Sequence, residues 1–460
     1  MEFNRQNPVE KSNQKIKHTT PARVIVLSFL LVILIGSVLL TLPISSADGT
    51  VTPYLNSLFT ATSATCVTGL ITYDTYTHWS VFGQIIILIL IQIGGIGLVT
   101  LTTFFTSFLK NKLGFSSIFL IQESVNANSR SHLIFLLRLV VTSTLIIEFI
   151  GAFFLAFRFV PELGAEGIWI SIFTAVSAYC NAGFDIFGRF GQFSSITTFV
   201  GDPLVNLVIM SLIVIGGLGF IVFADVLNYR KSRQLMLHTR IVLTTTPILI
   251  FLGAAIVFFN EYHNPATLGN LSLSEKFFAS LFQSITCRTA GFNSINISQL
   301  NDSTKLVMCA LMFIGAAPGS TGGGIKITTF AVLVMTVVAV IRNQYETTIF
   351  HRRVDHKVVY KSFAIAILSI CIIIITTSVL VIENSQITTI DGIFETFSAF
   401  CTVGITTGIT SFLGNFSKIA LILTMFIGRV GPFSFFIAMA LKQSYNNKRM
   451  VLPEGQIMVG

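Results

Sequence analysis

Ser63-Ala-Thr-Cys-Val-Thr-Gly69 is one of four related stretches in the 460-residue chain. The others are Ser177-Ala-Tyr-Cys-Asn-Ala-Gly183, Ser284-Ile-Thr-Cys-Arg-Thr-Ala-Gly291 and Ser398-Ala-Phe-Cys-Thr-Val-Gly404. Each carries a serine three residues before a cysteine and a glycine three or four residues after it. The aligned Cys66, Cys180, Cys287 and Cys401 lie 114, 107 and 114 residues apart. Self-similarity at a nearly fixed period marks tandem structural units. A second match supports the register: Ile93-Gly94, Ile215-Gly216, Ile314-Gly315 and Ile427-Gly428 follow the turn glycines by 25, 33, 24 and 24 residues. Only the second copy departs, through an insertion around Phe190 to Asp202.

What surrounds these stretches is apolar. The chain is 53% hydrophobic and 11% charged, against about 25% charged residues in an ordinary soluble domain. Val24 to Ala47, Thr75 to Leu109, Pro203 to Ala224, Ile241 to Asn260 and Ser362 to Ile382 contain no Asp, Glu, Lys or Arg. A hydrocarbon core is crossed by roughly 20 apolar residues, so lipid is the expected solvent. The first twenty residues are polar and the apolar run after them is too long for a signal-peptide core, so the first span is expected to be retained. None of the six cysteines has CxxC spacing, which disfavours a metal or redox pair.

The net charge of +9 would suggest nucleic acid in a soluble chain, but its placement points elsewhere. Of the 29 basic residues, 21 fall in five segments: the tail up to Arg23, Lys110 to Arg138, Arg230 to Arg240, Arg342 to Lys361, and Lys442 onward. By the positive-inside rule these lie on the cytoplasmic side, with both termini inside. The expected organisation is a tail (1–19), repeat one (20–110), repeat two (132–230), repeat three (238–342), repeat four (357–442) and a second tail (443–460). Each block has room for two spans with a short amphipathic segment between them.

The unit is therefore span, re-entrant half-helix, glycine turn, span. The predicted fold class is an all-α membrane protein: four tandem repeats, eight transmembrane helices and four re-entrant loops around a central ion pore. Non-helical backbone at membrane depth is tolerated only where it lines water or is buried in protein. Four turns meeting on one axis solve that problem jointly. Their carbonyls line a path, and the half-helices point their partly negative C-terminal ends toward it. A cation there exchanges its hydration shell for carbonyl oxygens. Glycine suits such a turn because it reaches dihedrals that a Cβ disfavours; a plain helix C-cap is the competing reading of each glycine taken alone.

Block three ends differently. Ile314-Gly-Ala-Ala-Pro-Gly-Ser-Thr-Gly-Gly-Gly-Ile-Lys326 holds Pro318 and five glycines within eleven residues, so the helix is expected to break there. A phosphate-binding loop is ruled out, since no Gly-Lys-Ser/Thr follows and the stretch lies inside an apolar span. A packing hinge is the plainer reading. Three charges fall at membrane depth: Arg288, Lys326 and Arg429. Such charges are costly and face a cavity or a partner. Arg288 is expected to brace its turn from behind, Lys326 reads equally as snorkelling to the inner interface or as part of a gate, and Glu148 reads as a bundle salt bridge or an ion contact.

This repeat, found four times in one chain, resembles the Trk/Ktr/HKT superfamily of potassium transporters over about residues 20 to 445, and is most similar to the bacterial Ktr membrane subunit. The resemblance implies a potassium-translocating subunit, with no enzymatic activity, in the bacterial cell membrane. It places a selectivity filter at Thr65, Cys66, Val67, Thr68 and Gly69; Cys180, Asn181, Ala182 and Gly183; Cys287, Arg288, Thr289, Ala290 and Gly291; and Cys401, Thr402, Val403 and Gly404. Potassium would sit at the four glycines and the carbonyls before them. Plant relatives that favour sodium have serine at the first glycine, so Gly69 falls on the potassium side. The resemblance also implies a gate made of Gly315, Ala316, Ala317, Pro318, Gly319, Ser320, Thr321, Gly322, Gly323, Gly324 and Lys326, with Arg429 as a barrier to cations.

A homodimer on a cytoplasmic ring of nucleotide-binding regulatory subunits is implied too, with 107–131 and the tail after Lys442 as docking surfaces. The inner basic clusters read otherwise as topology signals and lipid contacts. No cofactor is expected in this chain: ATP or ADP would act only through the partner, sodium stimulation is implied without a readable site, and no nucleic acid is expected. A secondary transporter of another cation or small solute is the alternative, although it would typically show two inverted repeats. A membrane enzyme would need a nucleophile, metal cluster or acid/base pair within the spans, and none is visible.

Overall fold

The computed structural model describes residues 21–97 and 130–439. The tails 1–19 and 443–460, and nearly all of the expected docking segment 107–131, lie outside the described residues.

Block one contains α1 (Pro21–Thr41), α2 (Tyr54–Cys66), a short α3 (Thr75–His78) and α4 (Val81–Ile96). Block two contains α5 (Arg130–Leu163), α6 (Ala165–Tyr179), α7 (Pro203–Leu218) and α8 (Phe220–Ser232). Block three contains α9 (Leu237–Glu261), α10 (Leu273–Thr286), α11 (Asp302–Phe313) and α12 (Ile327–Ile341). A small hairpin pairs β1 (Thr348–Ile349) with β2 (Arg352–Arg353) before block four, which contains α13 (His356–Glu383), α14 (Thr389–Phe400), α15 (Asn415–Val430) and α16 (Pro432–Met439). The first helix of each block is long and apolar enough to cross a membrane, and α7 with α8 and α15 with α16 form two apolar bent pairs, each a broken span or a re-entrant loop. The protein is a multi-pass, mostly helical membrane protein.

Local chemistry explains the boundaries. Asp202 caps α7 through the amides of Leu204 and Val205, and Pro203 fills the first turn, where its missing N–H costs nothing. Ser272 and Glu275 close a capping box on α10. The Glu383 carboxylate, at the end of α13, accepts from the amides of Phe416 and Ser417 at the start of α15. The half-helices α2, α6, α10 and α14 are buried along most of their length, and their side chains form the core between the spans.

The second spans differ from the simple expectation. Sequence reading located one break, in block three; α7 and α8 meet at 88° across Gly219, and α15 and α16 at 100° across Gly431. Gly97, Gly219 and Gly431 end their helices at φ +88°, +88° and +89°, a conformation open to glycine. Each lies three residues after the glycine of an Ile-Gly pair, and block three has Pro318 at that place. The break thus recurs in blocks two, three and four, while the chain after Gly97 in block one lies outside the described residues.

Candidate functional site

The four half-helices end at one place. Val67, Asn181, Thr289 and Thr402 all take the left-handed conformation (φ +57°, +59°, +68° and +51°), and two residues later Gly69, Gly183, Gly291 and Gly404 again have positive φ (+95°, +71°, +88° and +91°). Counted back from the glycines, the four turns share one backbone path. In block three this aligns Arg288, not Cys287, with Cys66, Cys180 and Cys401. Cys287 still caps its half-helix, as Cys180 and Cys401 cap theirs, so the extra residue lies in the turn between Cys287 and Gly291.

The turns close into a ring. A Cβ built on Gly69 would lie 2.5 Å from the carbonyl oxygen of Ala182; on Gly183, 2.7 Å from that of Ala290; on Gly291, 2.7 Å from that of Val403; and on Gly404, 2.0 Å from that of Thr68. Every glycine therefore abuts the carbonyl before the next block's glycine, in the cyclic order one, two, three, four, one. Serine at the half-helix ends has a definite part in two blocks: Ser63 and Ser398 accept from the amides of Gly69 and Gly404, each at 3.0 Å. Ser284 instead bonds to the Ile250 carbonyl of α9. Thr65 and Thr68 have buried hydroxyls with no hydrogen-bond partner among the described residues.

The Ile-Gly pairs explain how the spans come so close. A Cβ on Gly94, Gly216 or Gly428 would fall 2.1, 2.0 or 1.8 Å from the carbonyl oxygens of Thr65, Tyr179 and Phe400. Only glycine lets the second span lie against the last turn of its half-helix. Gly315 plays another part, with its amide bonded to Ile325 across the neck of the block-three loop.

That loop, residues 314–326, packs directly against the ring. Gly322 and Gly323 leave room for the Thr289 and Thr402 side chains, and Gly324 lies against Cys401. The Ala317 and Thr321 amides donate to the carbonyls of Gly217 and Gly216, while the Phe220 amide donates to that of Gly319. Ser320 bonds within the loop to the Ala317 carbonyl. All three membrane-depth cations hold loop carbonyls: Arg288 on Gly315 at 3.3 Å, Lys326 on Gly322 at 2.6 Å, and Arg429 on Thr321, with a second Arg429 donor on Gly94 of block one. Lys326 therefore turns back into the loop and does not snorkel, and Ala316 is wholly buried beneath it.

A family model described as a cation transport protein, TrkH, matches residues 3–449. The chain belongs to the TrkH family. It is 40% identical to Ktr system potassium uptake protein B of Bacillus subtilis over 96% of this chain and 97% of that one. It is 39% identical to the protein of the same name from Vibrio alginolyticus, over 95% and 94%. Potassium/sodium uptake protein NtpJ of Enterococcus hirae is 36% identical over 96% and 98%. The crystal structure of the potassium transporter TrkH from Vibrio parahaemolyticus matches with a TM-score of 0.72, covering 93% of this chain and 86% of that one at 16% identity, which shows the shared fold.

In this TrkH-family chain, sequence reading marks Glu148 as a bundle salt bridge or an ion contact, but it misses Glu261 and Lys305. Glu148 forms no salt bridge among the described residues; it accepts from Gln92 at 3.0 Å and from the Cys180 thiol at 3.6 Å, behind the second turn. Glu261, at the end of α9, is fully buried and accepts from Thr304, Asn301, Thr267 and Asn264. Lys305 pairs with Asp391 at 3.0 Å, tying α11 to α14. No sequence signal marks these contacts, because the partners are up to 86 residues apart.

Proposed function

We propose that the chain is the potassium-translocating subunit of a Ktr-type uptake system, with the glycine ring as its selectivity filter. The closed cyclic contact of Gly69, Gly183, Gly291 and Gly404 carries this reading. Four half-helices directing their C-terminal ends at one point favour a cation there. Carbonyls of Thr68, Ala182, Ala290 and Val403 would replace the water around a dehydrated ion. Potassium stands in the names of all three relatives, with sodium beside it in NtpJ, and a ring this tight disfavours a sugar or amino acid.

In this reading the loop 314–326 is the gate, held shut by Arg288, Lys326 and Arg429. Ion passage requires the loop to leave the underside of the ring, and the Arg429 charge repels cations until it does. The system assembles as a homodimer on a cytoplasmic ring of nucleotide-binding subunits, is stimulated by sodium and lies in the cell membrane with both termini inside. Growth at low potassium and rubidium uptake, in a bacterial strain stripped of its own potassium systems, test the reading with and without such a partner. Rescue and uptake are expected; no uptake from membrane-inserted protein in either case would reject it.

A further inference from the structure

Glu395 lies in the middle of α14, nine residues before Gly404; the same place in the other half-helices holds Thr60, Thr174 and Phe282. Its side chain is fully buried. Oε1 accepts from the Thr410 hydroxyl, which lies 3.0 Å from that of Thr406, and Thr406 and Thr407 stand beside the carboxylate. Oε2 has no hydrogen-bond partner, and neither has the buried Thr407 hydroxyl. These threonines belong to the segment that leaves Gly404, so the carboxylate sits directly behind the outer end of the fourth turn.

The fully buried Glu261 and the half-exposed Glu383 are saturated. Glu261 has donors on both oxygens, and Glu383 has the Phe416 and Ser417 amides and the Ser417 hydroxyl. Glu395 has neither full hydrogen bonding nor, among the described residues, a basic partner. The charge that acts on it is another carboxylate, Asp391, which Lys305 already occupies. A buried charge left this way is costly unless something neutralises it. A cation would take up Oε2 and the threonine oxygens together.

We propose that Glu395, with Thr406, Thr407 and Thr410, holds a sodium ion behind the fourth turn. One carboxylate matches a single positive charge, and no group of three or more His, Cys, Asp or Glu side chains suited to a metal ion occurs among the described residues. Oxygen ligands suit hard cations, and a full charge at short range favours sodium over the larger potassium. The inference deepens the transport reading, since sodium stimulation would act at this site on the turn next to it.

The test uses the purified full-length protein in nanodiscs, with N-methyl-D-glucamine chloride replaced stepwise by sodium chloride. A saturable rise of the unfolding midpoint by several degrees is expected, absent in Glu395→Gln and shifted to several-fold higher sodium in Thr410→Val. In vesicles, sodium should speed rubidium uptake in the wild type and leave the Glu395→Gln rate unchanged. No rise in the wild type, an equal rise with potassium chloride, or a normal rise in Glu395→Gln would overturn the proposal. If Glu395→Gln does not fold, Thr410→Val decides alone. Wild type that takes up no rubidium but shows the sodium rise would reject the transport reading and leave the site standing.

Discussion

The guanidinium of Arg429 donates to the carbonyl oxygen of Thr321, 108 residues earlier in the chain, and so pins the block-three loop from block four. A hydrogen bond from a charged group contributes ~1.5–3 kcal/mol, and each 1.4 kcal/mol is about tenfold in an equilibrium. Arg429→Ala should therefore populate the displaced loop about tenfold more and raise rubidium flux into proteoliposomes to a similar degree. Unaltered flux at wild-type protein levels would remove Arg429 from the lock.

Lys326 reaches the Gly322 carbonyl of the same loop at 2.6 Å. Lys326→Met should also raise flux, by less than Arg429→Ala, because Lys326 holds Gly322 and Gly323 within its own loop, whereas Arg429 ties the loop to blocks one and four. Restraints on one loop couple, so the double variant should fall short of the product of the single effects. A full product, measured in the same flux assay, would mean that the two cations act on separate elements.

At Gly69 a side chain meets both a strained φ of +95° and the Ala182 carbonyl at 2.5 Å. Gly69→Ser is expected to push block two outward and reduce the preference for potassium over sodium by about tenfold, the equivalent of 1.4 kcal/mol. Competition of sodium against rubidium uptake measures it. A preserved ratio would place the ion path away from the ring.

Glu261 offers a measurement of stability rather than transport. Truncation in Glu261→Ala strands the Thr304, Asn301, Thr267 and Asn264 donors in a buried site, and unsatisfied buried groups each cost ~1–3 kcal/mol. The detergent-solubilised protein should unfold several degrees lower. Glu261→Gln, which keeps an acceptor oxygen, should lose less. Equal midpoints for all three would show that the cluster is solvated.

The four turns and the block-three loop were legible because both rest on residues that a membrane helix avoids, glycine and proline, at repeated places. The repeat itself concealed the rest. Cys287 matches Cys180 and Cys401 as the cap of its half-helix, whereas the turn that follows is one residue longer and puts Arg288 three residues before its glycine. The Ile-Gly pairs served as a ruler, although their meaning is steric: Gly94, Gly216 and Gly428 admit a carbonyl where a methyl would stand. Gly97, Gly219 and Gly431 were overlooked within apolar runs that read as continuous, and an Ile-Gly-x-x-Gly pattern would have found them. Glu261 and Glu395 carry no local signal, since their partners come from other elements after folding.

The ring of glycines also bears on how such a chain can diverge. Four copies within one polypeptide are free to drift separately, and the left-handed positions have done so, reading Val67, Asn181, Thr289 and Thr402. The glycines are a joint property: each is sized by the copy that follows it, as voussoirs in an arch are cut to their neighbours. A change in one copy is transmitted around the circle, and its compensation can arise in any of the other three.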